Sequence, residues 1–295
     1  MRRTGGRSEA SRAARFVVSF LKWNAIFALL LLTVVACDPT IPPAAVLQPV
    51  TISGPDAVQI PPIAVPGARM PPGPIPAELK LPPGDGPFPV VIVLHGCAGL
   101  GASQWIWARR LNGWGYAALI PDSMTPRGVK RVCEPAAQNL VTWWDRVGDV
   151  GSAAAWLRTR PQIDPHRIAV LGLSHGGATA VIATERAYAG FGLRAAVDYY
   201  GPCVDPELHG DVPLLVLVGG DDDWGHPATR CKDFGATLQP GQVFELHIYP
   251  GVYHAFDNPN MVRTVSNSHI MEYNQAAAED SYTQVHAFLD RWVMH

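Results

Sequence analysis

Residues 167–180 read Arg-Ile-Ala-Val-Leu-Gly-Leu-Ser-His-Gly-Gly-Ala-Thr-Ala, and this stretch decides the fold. Arg167 to Leu171 is a short apolar run stopped by glycine, which predicts a buried strand. Ser174 then stands between glycines, and Ala178-Thr179-Ala180 opens a helical pattern. A serine at a sharp strand-to-helix turn is forced into strained backbone geometry with its hydroxyl exposed, and only small neighbours permit that turn. Gly-x-Ser-x-Gly alone arises by chance in many chains; its place between a strand and a helix gives it weight.

Working outward, the same type of strand recurs. Val90 to Leu94, Tyr116 to Ile120, Ala195 to Tyr199, Leu214 to Val218 and Val243 to Tyr249 are apolar runs without polar alternation, as expected of strands covered on both faces. Helical patterns fill the gaps over Ala102–Gly113, Gln138–Arg160, Gly176–Ala189, Pro227–Leu238 and Asn274–Trp292. The alternation predicts a doubly wound α/β domain, a mostly parallel sheet flanked by helices, with its site at the carboxyl ends of the strands. No repeat of fixed length points to a solenoid or propeller.

A serine hydroxyl is a poor nucleophile until a base takes its proton, and the base needs a carboxylate to fix its tautomer. In this fold class the order along the chain is Ser, acid, His. Both partners follow in that order. Gly219-Gly220-Asp221-Asp222-Asp223-Trp224 comes after one predicted strand, and Pro250-Gly251-Val252-Tyr253-His254-Ala255-Phe256 after the next. The amide following the serine, that of His175, is a natural donor to an oxyanion, and a second is expected from the turn after the first central strand.

These motifs together resemble the α/β hydrolase fold and, within it, the dienelactone hydrolase family, over roughly residues 75 to 295. The resemblance rests on Val91-Ile92-Val93-Leu94-His95-Gly96-Cys97, the elbow at Ser174, Gly219-x-x-Asp222 and Pro-Gly-x-x-His-x-Phe around His254. It implies Ser174 as nucleophile, His254 as general base and then acid, Asp222 as the orienting carboxylate ahead of Asp223 and Asp221, and the Cys97 amide as the second oxyanion donor. It implies no cofactor and no metal. The namesake enzyme carries Cys in the elbow where this chain has Ser174, which points to a serine esterase acting on a small-molecule ester or lactone.

The chain of 295 residues is 48% hydrophobic and 16% charged, which excludes disorder throughout, collagen and coiled coil. Its net charge of -2 is unevenly spread: residues 1–22 hold six Lys/Arg against Glu9 alone, leaving an acidic body that disfavours nucleic acid as a partner. An apolar run from Ala25 to Ala36 has the length of a secretory h-region, and Val34-Val35-Ala36-Cys37 resembles the lipobox of bacterial lipoproteins. Residues 1–36 therefore read as a lipoprotein-type signal peptide and Cys37 as the lipidated residue; the alternative is a retained signal anchor. Either puts the body outside the cytoplasm, in the periplasm or cell envelope and attached to a membrane. Residues 37–50 read as a Pro-rich tether and 51–295 as the catalytic domain. Short edge strands are expected at Val50–Ile52, Val58–Ile63 and Ala77–Leu81. Nothing in the sequence sets the oligomeric state.

With Cys37 lipidated, four cysteines remain. Pairing Cys97 with Cys133 and Cys203 with Cys231 joins neighbouring loops on one edge of the sheet, although four cysteines permit three connectivities and free buried thiols are the alternative. Arg127 is a candidate for a substrate carboxylate, as is Arg131, and Trp224 belongs with Trp105, Trp107, Trp143 and Trp144 to an aromatic set near the predicted mouth, most of it expected in core packing and one or two members expected to line an acyl or aromatic pocket. His95 is expected to support the oxyanion turn. Asp221, Asp223 and His226 lack the spacing of a known metal motif. Two rivals use the same scaffold, a serine peptidase and an acyltransferase; a third is a non-catalytic envelope lipoprotein.

Overall fold

The structure, a computed structural model, describes residues 52–295. The signal-peptide, Cys37 and tether assignments over residues 1–50 lie outside the described residues. Two edge strands come first, β1 (Ala57–Ile60) and β2 (Ile75–Lys80), then β3 (Phe88–Leu94), α1 (Ala102–Gly113), β4 (Ala117–Pro121), α2 (Trp143–Leu157), β5 (Ile163–Leu173) and α3 (His175–Ile182). The second half runs β6 (Leu193–Tyr199), β7 (Leu214–Gly219), α4 (Pro227–Thr237), β8 (Phe244–Tyr249), the hairpin β9 (Thr264–Ser266) and β10 (His269–Met271), and α5 (Gln275–Leu289).

Eight strands form one sheet in the order β1-β2-β4-β3-β5-β6-β7-β8, antiparallel only where β1 meets β2 and β2 meets β4. The period of two splits each strand between two cores. Val90, Ile92 and Leu94 of β3 pack with α2, α3 and α4 residues such as Val150, Val181 and Phe234. Val91 and Val93 pack on the opposite face with Trp107 of α1 and Phe288 of α5. Both faces being covered explains why these strands carry no polar alternation. The chain leaves β3 for β4 on one side and returns to β5 on the other, so the winding direction reverses beside β3. A crevice opens there at the carboxyl ends of the strands.

Helix boundaries follow their caps. The expected start of α2 at Gln138 moves to Trp143 because Thr142 and Asp145 form a capping box: the Asp145 amide donates to Thr142 Oγ1 at 3.2 Å and the Thr142 amide to Asp145 Oδ2 at 2.8 Å. The α3 helix ends at Ile182, and a separate 3-10 turn covers Arg186–Phe191. Among the described residues no helix is long and apolar enough to cross a membrane. The β9–β10 hairpin was not foreseen from the sequence. Its strands are three residues each, too short for a periodic signal, and its turn is made by Asn267 and Ser268, both at positive φ.

Candidate active site

Ser174 directly follows β5 with φ 55° and ψ −114°, a conformation that a residue with a side chain adopts only when its surroundings enforce it. The surroundings do enforce it. The Ser174 amide donates to the Tyr199 carbonyl at 2.8 Å, and its own carbonyl accepts from the Ala178 amide at 3.0 Å. A Cβ on Gly172 would fall 1.9 Å from the Gly176 oxygen, and one on Gly177 would fall 2.0 Å from Asp198 Oδ1. The helix can turn this close behind the strand only because both positions are glycine.

His254 lies 80 residues further on, in the loop after β8, where its carbonyl accepts from the Glu272 amide. Its Nε2 is 3.0 Å from Ser174 Oγ and its Nδ1 is 2.7 Å from Asp222 Oδ2. Asp222 and His254 are both buried at 4% exposure, so water competes little for these contacts. The other Asp222 oxygen accepts from the Trp224 amide at 2.9 Å. With Asp222 accepting the Nδ1–H hydrogen bond, Nε2 is left to accept from the serine hydroxyl. Of the three consecutive aspartates only Asp222 turns inward. Asp221 is exposed, and Asp223 reaches out to His269 Nδ1 at 2.9 Å.

The His95-Gly96-Cys97 turn follows β3, the neighbour of β5. It passes directly over the elbow, since a Cβ on Gly96 would lie 3.6 Å from Ser174 Cβ. Burial pulls the His95 imidazole down to about 3, so the ring is neutral. Its Nε2 accepts from the Ser123 amide at 3.2 Å, which leaves Nδ1 to donate to the Gly96 carbonyl at 2.8 Å. His95 thus holds the turn. Disulfides join Cys97 to Cys133 and Cys203 to Cys231. The first fastens this turn to the segment after β4, reinforced by a bond from the Val132 amide to the Cys97 carbonyl.

A cavity of about 320 Å³ opens over Ser174, within the range of small-molecule sites. Cys97, His175, Trp143, Trp144, Tyr200 and Trp224 line it, with Arg230 also on the wall. Three of the five tryptophans expected at the mouth are there. The other two are not: Trp105 bonds Glu78 beside the edge strands, and Trp107 is buried with its indole N–H on Asp257. Arg127 is likewise not free for a substrate. Both its Nη atoms bond the buried Asp149, at 2.8 and 2.9 Å, and it caps the Ser123 carbonyl. Arg131 pairs with Glu134. The guanidinium that does line the cavity, Arg230, was missed because nothing in its sequence context separates it from any other arginine on a helix surface. Tyr200 was missed too. It follows β6 with φ 47°, its ring lies 4.7 Å from that of His254, and its hydroxyl donates to Asp257. Among the described residues one group has metal-ligand proximity, Asp198 with Cys203 and Cys231, but those two sulfurs are spent in a disulfide.

The dienelactone hydrolase family's sequence model matches residues 75–293, spanning every element described above except β1 and the last residues. The chain belongs to the dienelactone hydrolase family. That places it among hydrolases of esters and lactones. A carboxymethylenebutenolidase of Pseudomonas putida is 25% identical over 205 residues, 64% of this chain and 81% of that protein. Two solved structures share the fold. A dienelactone hydrolase from Anabaena variabilis has a TM-score of 0.56 at 20% identity, covering 81% of this chain and 98% of that one. A thermophilic esterase from Thermogutta terrifontis has a TM-score of 0.59 at 17% identity, covering 80% and 94%.

Proposed function

We propose that this member of the family is a serine hydrolase that cleaves a carboxylic ester or lactone through an acyl-enzyme. The observation that carries this is the unbroken chain Ser174 Oγ, His254 Nε2, His254 Nδ1, Asp222 Oδ2, with contacts of 3.0 and 2.7 Å at the mouth of a cavity. Ser174 Oγ attacks the carbonyl carbon while His254 Nε2 takes its proton. The amides of Cys97 and His175 receive the oxyanion. The tetrahedral species then collapses, breaking the bond to the leaving oxygen, which takes the proton from His254. Water repeats the sequence on the acyl group, losing its proton to His254 and regenerating Ser174 Oγ–H. Asp222 keeps the imidazole in the required tautomer and stabilises it when charged. A wall of Trp143, Trp144, Tyr200 and Trp224 suits a flat or aromatic group on one side of the scissile bond.

The same proposal includes export and anchoring: residues 1–36 direct the chain out of the cytoplasm and Cys37 carries lipid. Two disulfides support it, because such bonds persist in oxidising compartments.

Purified protein assayed on chromogenic esters of graded acyl size tests the reaction. Turnover is expected for wild type and its loss in Ser174→Ala. Hydrolysis that survives Ser174→Ala, or an inactive wild type across the series, contradicts the assignment. Radiolabelled palmitate is expected in the intact protein and absent from Cys37→Ala; equal incorporation contradicts the anchor.

A further inference from the structure

Helix α2 takes a charged side chain fully inside the fold. Arg146 has no exposed surface, and it sits beneath the two turns that supply the amides of Cys97 and His175. One Nη donates to the His95 carbonyl at 2.7 Å, two residues before Cys97. The other lies 2.9 Å from His175 Nδ1, on the elbow itself. One rigid fork therefore touches both halves of the site, which come from strands β3 and β5.

Two further consequences follow from donor chemistry. A guanidinium has no acceptor, so His175 Nδ1 must accept and its ring proton must stand on Nε2. Burial and the neighbouring Arg146 charge hold His175 well below its ordinary range, so the ring stays neutral. His175 itself is among the residues that line the cavity. Arg146, in contrast, stays charged: burial lowers it, but only to about 10. It forms no ion pair among the described residues, because both oxygens of Asp149, the nearby carboxylate on α2, are engaged by Arg127. Asp122, the other carboxylate nearby, accepts from the Met124 and Thr125 amides on Oδ1. The Nε of Arg146 has no hydrogen-bond partner among the described residues. A buried charge without an ion pair is costly to keep, and packing alone would be met by an apolar side chain of similar size.

We propose that Arg146 is the positioning residue of the oxyanion site, bracing the His95–Cys97 turn and the Ser174–His175 elbow against each other so that their amides converge, with its positive charge behind them. This rests on those two amides being the oxyanion donors. In the transition state the forming negative charge meets prepositioned dipoles and a fixed cation in a dry environment, where such groups act most strongly.

The test compares wild type, Arg146→Lys, Arg146→Met and His175→Leu on a chromogenic ester, with thermal unfolding monitored throughout. Each is also titrated with a trifluoromethyl ketone, whose adduct with Ser174 bears the oxyanion. Arg146→Lys keeps the charge and loses the fork, and it is expected to lower kcat about tenfold with KM within about threefold. Arg146→Met is expected to lower kcat about a hundredfold, on the scale of losing an oxyanion donor. In both, ketone affinity falls in step with kcat. If Arg146→Met fails to fold, Arg146→Lys and His175→Leu carry the test, the latter removing the elbow contact while leaving the arginine in place. Folded Arg146→Lys and His175→Leu variants with kcat within twofold of wild type overturn the proposal, as does a fall in kcat with unchanged ketone affinity. A wild type inert to both ester and ketone would instead remove the hydrolase assignment on which it stands.

Discussion

Two aspartate–histidine pairs stand side by side at the carboxyl edge of the sheet, and of the two only the inner one meets the Ser174 hydroxyl. Asp222–His254 and Asp223–His269 are built from adjacent aspartates, at 2.7 and 2.9 Å, and both imidazoles pack against the same indole, Trp224, at 5.1 and 5.0 Å. In the first pair the aspartate and histidine side chains are 0% and 5% exposed, and the second ring nitrogen meets a serine hydroxyl. In the second they are 52% and 29% exposed, and the histidine sits on the β10 strand of a surface hairpin. Residue type and spacing are thus shared; burial and what lies beyond the ring are not. The inner pair is placed as a base and its orienting carboxylate would be, whereas an outer pair in water contributes little beyond holding a loop.

The sharpest way to break this comparison is to neutralise each aspartate in turn. Asp222→Asn is expected to reduce kcat by about 10³ to 10⁴, since an amide favours the wrong tautomer while leaving the packing intact. A loss below about tenfold, measured by steady-state kinetics at neutral pH, would mean that the inner pair does not orient the base. Next in size is the Cys97–Cys133 disulfide, which fastens the turn proposed to supply an oxyanion amide. Replacing both cysteines by alanine is expected to cost about 2–4 kcal/mol of stability, read from denaturant melts, and about tenfold in kcat. Removing Cys203–Cys231 by the same double substitution should affect stability alike and kcat less.

Smaller effects belong to the outer pair. The Asn267 side chain donates to the Cys133 carbonyl, so the hairpin is tied at its tip as well as through His269. His269→Ala frees the outer face of Trp224, a cavity wall, and is expected to raise KM up to about fivefold with kcat within about twofold. Asp223→Asn should change kcat by less than about threefold. A larger loss than in Asp222→Asn would reverse the assignment of the two pairs.

Much of this was legible in the chain because the relevant physics is local. Doubly covered strands announce themselves as apolar runs, so β3 to β8 fall where Val90–Leu94 and its five counterparts predict. The elbow is visible because glycine is obligatory at 172 and 177. The order Ser, Asp, His then leaves few partners, and sheet order brings Cys97 beside Cys133 and Cys203 beside Cys231. What stayed hidden depends on long-range placement. Arg127 and Arg146 are two arginines of one chain, yet one is spent on Asp149 and the other on two catalytic-edge turns. Arg230 and Tyr200 reach the cavity through the orientation of α4 and the bend after β6, and no periodicity encodes either. Trp107, one of the tryptophan set near the predicted mouth, lies in the core beside Tyr199 and Tyr282.

The central claim is that Ser174 attacks carbon and is the atom to which the acyl group is transferred. Intact-protein mass measurement after reaction with a fluorophosphonate, followed by peptide mapping, tests it most directly. One adduct per chain on the peptide containing Ser174, formed far more slowly in Asp222→Asn and at nearly the wild-type rate in Asp223→Asn, is the predicted result. An adduct on another residue, or equal labelling of Ser174→Ala, would contradict it.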